Sequence, residues 1–243
     1  MVFDIVTIFP DIFDSYFKES IISRAVKNKL IKISIHNLRD FTEDKHKIVD
    51  DRPFGGGIGM VMKIEPIFNA VLKLIKSNKA VKKRKIVLFT PRGKKFDQKM
   101  AYQFAKLDQL ILLCGRYEGI DERATKHIAD VELSIGDFVL MGGELPAMVV
   151  TETICRLIPG VIGKPQLLNE RIPSSRGRGG RGFIEYPQYT RPEVFNTSKY
   201  IKNWSNCPSR FCKAKTWQVP KVLLSGDHKK IKKWREQHRK IID

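Results

Sequence analysis

Leu110-Ile111-Leu112-Leu113-Cys114-Gly115-Arg116-Tyr117-Glu118-Gly119 is the stretch on which the fold turns. Its apolar run is too short for a core helix and too continuous for a strand with one wet face. It reads as a strand buried on both sides. The glycines that follow end the strand and let backbone amides come close to a ligand. Two further segments have the same form. Lys85 to Thr90 is an apolar strand running into Thr90-Pro91-Arg92-Gly93. Val131 to Ile135 runs into Ser134-Ile135-Gly136-Asp137 and on to Met141-Gly142-Gly143. Three glycine-bearing loops, each after a strand, predict a small-molecule pocket beyond the carboxyl ends of a parallel sheet.

Working outward, strands and helices alternate. Phe3 to Phe9 and Ile31 to Leu38 read as strands. Ile12 to Lys29, Ile64 to Ser77, Asp97 to Leu107, Ile120 to Ile128 and Glu144 to Ile158 read as helices. In the second of these, Ile64, Ile67, Phe68, Val71, Leu72 and Ile75 form the predicted apolar face. The alternation predicts an α/β domain over residues 1–162 whose parallel sheet is covered on both faces. Periodicity is lost after Gly160. Residues 163–185 read as an Arg/Gly-rich linker, and 186–243 as a smaller, basic, helical domain with a helix over Asp227 to Arg239.

The chain has 243 residues, 42% of them hydrophobic, and a formal net charge of +19. The size allows a real core, and the charge points to a polyanion as partner. From Lys199 to Asp243 there are thirteen Lys or Arg against three acids, a net +10. That concentration favours RNA contact over a merely solvated face. The most apolar long segment, Leu145 to Ile162, holds Glu152 and Arg156, so it reads as a core helix and not a membrane span. The N-terminus lacks the basic and apolar regions of a leader. The expected location is the cytoplasm.

Other motifs exclude or suggest chemistry. Asp50-Asp51-Arg52-Pro53-Phe54-Gly55-Gly56-Gly57-Ile58-Gly59 mixes carboxylates, an arginine and a mobile backbone, with His46 just before it. It reads as a loop that closes on a ligand. Gly177, Gly179 and Gly182 satisfy GxGxxG literally but follow no strand and open no helix, so a dinucleotide site is rejected. Arg176 to Gly182 instead has the look of an arginine- and glycine-rich RNA-binding segment. Neither GxxxxGK[ST] nor HExxH occurs. Cys114 and Cys155 read as buried thiols, and Cys207 and Cys212 lack the companions of a zinc site.

Longer motifs carry a resemblance. Phe9-Pro10-Asp11-Ile12-Phe13, Arg24 to Asn28, Val49 to Gly57, Cys114 to Arg123, Ser134 to Ala147, Tyr186 to Val194 and Val222 to His228 resemble the TrmD family of bacterial tRNA (guanine-N1)-methyltransferases. The resemblance is nearly unbroken from Met1 to Gly163 and returns in pieces to about Arg235. It implies the SPOUT fold, a parallel-sheet α/β domain with a deep trefoil knot over about residues 85–146. It also implies a homodimer with active sites at the subunit interface, tRNA as substrate, and S-adenosylmethionine as methyl donor. The donor residues implied are Leu88, Thr90, Pro91, Gly115, Tyr117, Glu118, Gly119, Ser134, Ile135, Gly136, Asp137, Phe138, Val139, Leu140, Gly142, Gly143 and Pro146. The target is the guanine immediately 3′ of the anticodon, position 37. Its recognition falls by resemblance to His46, Asp50, Arg52, Gly55, Gly56, Gly57, Tyr189 and Arg191. The family is also magnesium-dependent, but the sequence offers no metal-ligand pattern.

Guanine N1 carries a proton and is a poor nucleophile. A carboxylate must take that proton while a cation stabilises charge building on O6. By resemblance Arg156 is the cation. The family's base is an aspartate in an Asp-Ser-Phe stretch ahead of Gly-Leu-Leu-Glu-Tyr-Pro. Gly182-Phe183-Ile184-Glu185-Tyr186-Pro187 matches the second part, but Arg171 to Arg181 replaces the first. Glu170 is the nearest carboxylate and the candidate base. An extra segment near 196–216 also departs from the family. Three readings stay open: an active tRNA guanine-N1-methyltransferase, a catalytically impaired RNA-binding paralogue that keeps the donor pocket, and a related enzyme methylating another RNA position.

Overall fold

The computed structural model describes residues 1–78, 80–164, 183–200 and 216–242. The chain divides into two compact units, Met1–Glu170 and Arg171–Asp243. The first holds β1 (Val2–Thr7), α1 (Asp14–Phe17), α2 (Ser20–Lys27), β2 (Lys32–Asn37), β3 (Asp50–Asp51), β4 (Val61–Met62) and α3 (Ile64–Ser77). It continues with β5 (Arg84–Lys95), α4 (Gln98–Phe104), β6 (Gln109–Leu113), α5 (Glu122–His127), β7 (Val131–Ser134) and α6 (Glu144–Cys155).

Five strands make one sheet in the order β2-β1-β6-β5-β7, and every pairing in it is parallel. Side chains alternate across its plane, as strand geometry requires. Phe3, Ile5, Val87, Phe89, Leu110 and Leu112 pack on one face with residues of α2, α4 and α6. Val6, Ile86, Leu88, Ile111 and Leu113 pack on the other with α3. Burying both faces explains why β6 reads as an unbroken apolar run. Each of its leucines and isoleucines contributes about 1.5–3 kcal/mol of burial. Side-chain caps fix the starts of two helices: Asp97 accepts from the Met100 amide at 2.7 Å, and Asp121 from the Arg123 amide at 2.9 Å.

The structure corrects several boundaries. Ile12 to Lys29 is not one helix: a 3-10 turn at Pro10–Phe13 leads into α1, Lys18 and Glu19 separate α1 from α2, and Ser20, the first residue of α2, sits at φ +52°. The buried face of α3 is Pro66, Ile67, Ala70, Val71 and Leu74, while Phe68 is half exposed. The strand read as ending at Thr90 continues to Lys95. Its register with β7 shifts between Phe89 and Lys94, so Thr90-Pro91-Arg92-Gly93 is a bulge within a strand and not a free loop. Gly93 makes this possible. A Cβ there would lie 2.5 Å from the backbone nitrogen of Leu133.

The second unit holds β8 (Phe183–Glu185), β9 (Val194–Asn196), β10 (Thr216–Gln218), α7 (Lys221–Leu224), α8 (His228–His238) and β11 (Lys240–Ile242). Among the described residues its strands form two antiparallel pairs, β9 with β10 and β8 with β11. The sequence reading, which saw only helix here, missed these short pairs because three-residue strands carry no usable periodicity. The β9–β10 pair joins the two ends of the extra segment. Asp227 caps α8, accepting from the amides of Lys229 and Lys230 at 3.0 and 3.1 Å.

Candidate functional site

The site grows from the carboxyl ends of β5, β6 and β7. There the three glycine segments enclose a cavity of about 420 Å³. From β5 come Leu88, Thr90, Pro91 and Arg92. From the turn after β6 come Gly115, Arg116, Tyr117, Glu118 and Gly119. From β7 and the turn after it come Ser134, Ile135, Phe138, Val139, Leu140, Met141, Gly142 and Gly143, and Pro146 closes the wall from α6. Of the expected donor residues, Gly136 and Asp137 lie outside the lining. Gly136 sits under the Phe138 ring, and the Asp137 carboxylate pairs with Lys95.

The two inner turns are locked together. Gly143 N donates to Gly115 O at 3.0 Å. A Cβ on Gly143 would fall 2.7 Å from Cys114 Cα, and one on Gly142 would fall 2.3 Å from Arg116 Nε. Tyr117 is held at φ +58°, a left-handed conformation that a bulky side chain adopts only under constraint. Arg92 is tied to Glu122 of α5 and, at 3.2 Å, to Glu132 of β7, so the outer wall is also braced. Such a cradle of close backbone, with mixed polar and apolar walls, fits a nucleoside-sized ligand. Its volume lies within the roughly 300–1,000 Å³ range of ligand pockets.

The Asp50 loop belongs to the same place. Asp50 and Asp51 pair with Met62 and Val61, making residues 52–60 a hairpin loop. That loop leans on the turn after β6: Glu118 N donates to Met60 O at 3.0 Å, and Met62 N to Gly119 O at 2.9 Å. Gly59, at φ +95°, has no room for a Cβ, which would meet the Glu118 side chain at 2.5 Å. Arg52, Gly55, Gly56 and Gly57 are exposed beyond this contact, and His46 is exposed ahead of it, its amide bonded to Asp44. Phe54 and Ile58 stand fully in solvent at 101% and 96% exposure, which leaves the hairpin tip apolar and open.

Other expected residues lie elsewhere. Arg156 is the C-cap of α6. Pro146, which lines the cavity, belongs to the opposite end of that helix, about 15 Å away at 1.5 Å per residue. Glu170 lies outside the described residues, as do Arg171 to Arg181, Cys207 and Cys212. Tyr189 and Arg191 belong to the second unit. They line a separate hollow of about 310 Å³ with Glu193, Leu223, Ile231 and Arg235. Tyr189 meets Trp234 edge-on at 6.1 Å, and the Arg235 guanidinium lies 4.9 Å over the Tyr186 ring.

Sequence reasoning missed Thr7 and Glu144, both buried, and the role of Arg116. Glu144 Oε1 accepts from Thr7 Oγ1 at 2.8 Å, and its Oε2 accepts from Arg116 Nε at 2.9 Å. A glutamate in the first turn of a helix is ordinary in sequence; only the fold reveals that it is 1% exposed. Among the described residues the two cysteines, Cys114 and Cys155, offer no ready nucleophile. Burial pushes the Cys114 thiol well above its ordinary range, and burial, with Glu152 nearby, pushes Cys155 up to about 12. Tyr16, which donates to Glu152, is likewise pushed up to about 12, chiefly by burial. Among the described residues no three His, Cys, Asp or Glu side chains gather to hold a metal ion. Nor is any helix there long and apolar enough to cross a membrane.

Known proteins match this chain over nearly its whole length. The family model for tRNA (Guanine-1)-methyltransferase TrmD matches residues 1–241. A tRNA (guanine-N(1)-)-methyltransferase of Dictyoglomus turgidum is 47% identical over 96% of this chain and 83% of its own length. One of Ruminiclostridium cellulolyticum is 45% identical over 98% and 90%. The crystal structure of tRNA (m1G37) methyltransferase from Aquifex aeolicus superposes with a TM-score of 0.73 at 32% identity, covering 98% of this chain and 88% of that one.

Proposed function

Because the chain belongs to the tRNA (guanine-1)-methyltransferase TrmD family, we propose that it methylates N1 of the guanine immediately 3′ of the anticodon, position 37, in tRNA. The observation that carries this reading is the glycine-lined cavity at the carboxyl ends of β5, β6 and β7, set within a chain matched by that family from end to end. Relatives that carry the name tRNA (guanine-N(1)-)-methyltransferase favour it over an impaired paralogue. S-adenosylmethionine bound in the cavity supplies an activated methyl group on a sulfonium. The chain's own groups hold it: the Gly115–Gly119 and Gly142–Gly143 turns and the walls from Leu88 to Pro91 and Ser134 to Leu140. The deep knot is part of the same proposal. It is supported by the path of the chain, which leaves edge strand β7, passes beside Gly115 next to β6, and returns to pack α6 against β1 and α4.

Guanine N1 then needs its proton removed and charge on O6 offset. Arg156 is the cation and Glu170 the base in this reading. Arg156 cannot serve the cavity of its own chain, since it stands a helix length from it. A homodimer resolves this, with the partner copy's Arg156 completing each site. Apolar surface on the pocket turn and α6 supports such an interface: Met141, Val139, Phe138, Leu145 and Val149 are 91, 79, 55, 55 and 43% exposed. The Asp50 hairpin, already bonded to the donor turn, is the element that closes over the guanine. No step here uses magnesium, for which no residue set is proposed. The place of action is the cytoplasm, where the substrate is.

A tRNA transcript whose position-37 guanine is replaced by adenine tests the reading: transfer should disappear, and undiminished transfer overturns it. The basic second unit is proposed to grip the tRNA backbone. Exchanging Lys229, Lys230, Lys232 and Lys233, all exposed on α8, for Gln should lower the salt-dependence slope of tRNA binding by as much as ~3. Donor affinity should not change. An unaltered slope removes α8 from the docking surface.

A further inference from the structure

Resting on that reading, we infer that Glu144 is a positioning residue for the methyl donor: a buried carboxylate that holds the two glycine turns of the cavity in register. Three segments far apart in sequence meet at it. Thr7, the last residue of β1, gives its hydroxyl proton to Oε1 at 2.8 Å and accepts the Phe9 amide at 3.0 Å. Arg116, in the turn after β6, gives Nε–H to Oε2 at 2.9 Å, and its guanidinium lies 4.8 Å over the Phe9 ring. Glu144 itself begins α6, where the partial positive charge of the helix N-terminus favours an anion.

The consequence lies one residue back. A Cβ on Gly142 would fall 2.3 Å from Arg116 Nε and 2.6 Å from Glu144 Oε2. The backbone of the pocket wall therefore rests directly on the ion pair. The side chains of Arg116 and Glu144 are 21% and 2% exposed, so water cannot take the place of either partner cheaply. A buried pair is costly to break by removing one member, because the other charge stays behind. Its geometry is correspondingly fixed, and the Gly142–Gly143 turn inherits that fixity. Glu144 thus acts through Arg116 and Gly142 and need not touch the donor.

Glu144→Gln keeps the shape and removes the charge; Thr7→Val removes one hydrogen bond and lies outside the cavity lining. Titration calorimetry of the full-length protein with S-adenosylmethionine should give a Kd raised about tenfold for Glu144→Gln and several-fold for Thr7→Val. The two effects should be less than additive in the double variant. tRNA affinity should stay within about threefold of wild type, a split that general loosening of the fold does not produce. Variants that melt earlier yet bind the donor as tightly as wild type overturn the inference, leaving Glu144 a stability residue only. A wild-type protein that does not bind the donor sinks the inference together with the proposed function. Wild-type binding with unaffected variants sinks the inference alone.

Discussion

Gly143→Ala should abolish the rise in melting temperature expected when S-adenosylmethionine is added to the wild-type protein. A ligand that binds only the native state stabilises it by about 2.7 kcal/mol at a hundredfold excess over Kd. For a chain of this size that is a shift of roughly 5–10 °C. The added methyl has nowhere to go. It would meet Cys114 Cα at 2.7 Å and Gly115 N at 3.1 Å, and both are backbone at the end of a strand whose side chains are buried. No rotamer change relieves such a clash. The turn must move outward, breaking the Gly143 N to Gly115 O bond and narrowing the cavity between the glycine turns. The free protein should also melt earlier, since overpacking costs about 1–3 kcal/mol. Thermal denaturation with and without donor reads both effects. A variant that keeps the full donor shift would put the donor somewhere other than between these turns.

Arg156→Ala should lower single-turnover methyl transfer by roughly 10²–10³-fold and leave donor affinity unchanged. The separation of Arg156 from the cavity along α6 makes a sharper test possible. Gly143→Ala has a disabled cavity and an intact Arg156; Arg156→Ala has the reverse. When the two inactive proteins are mixed and allowed to exchange subunits, half the dimers are mixed and each mixed dimer has one whole site. Activity should return to about a quarter of wild type. Absence of recovery despite demonstrated exchange would mean that Arg156 and the cavity do not meet across a subunit interface.

The strands were legible because burial on both faces writes itself as continuous apolar residues. Leu110 to Leu113 and Lys85 to Phe89 could be read directly, and the glycines after them pointed to the ligand end of the sheet. What the sequence concealed had three physical causes. The extension of β5 to Lys95 depends on Gly93 nesting against Leu133 of another strand, a contact made at long range. The break before Ser20 depends on one left-handed residue, which serine composition does not announce. The Thr7–Glu144–Arg116 cluster unites Thr7 with positions more than a hundred residues further along the chain, and each looks unremarkable alone. Resemblance supplied candidate residues for the cavity, but it was the fold that joined the Asp50 hairpin to the turn after β6 through Met60, Met62 and Glu118.

The proposed reaction is methyl transfer to one atom of one base. Purified protein is incubated with unmodified tRNA and S-adenosylmethionine carrying a labelled methyl group; the tRNA is then digested to nucleosides and the labelled product identified. The expected product is a single labelled nucleoside, N1-methylguanosine, mapping to the residue immediately 3′ of the anticodon. Donor binding without transfer, or label recovered in any other nucleoside, would contradict it.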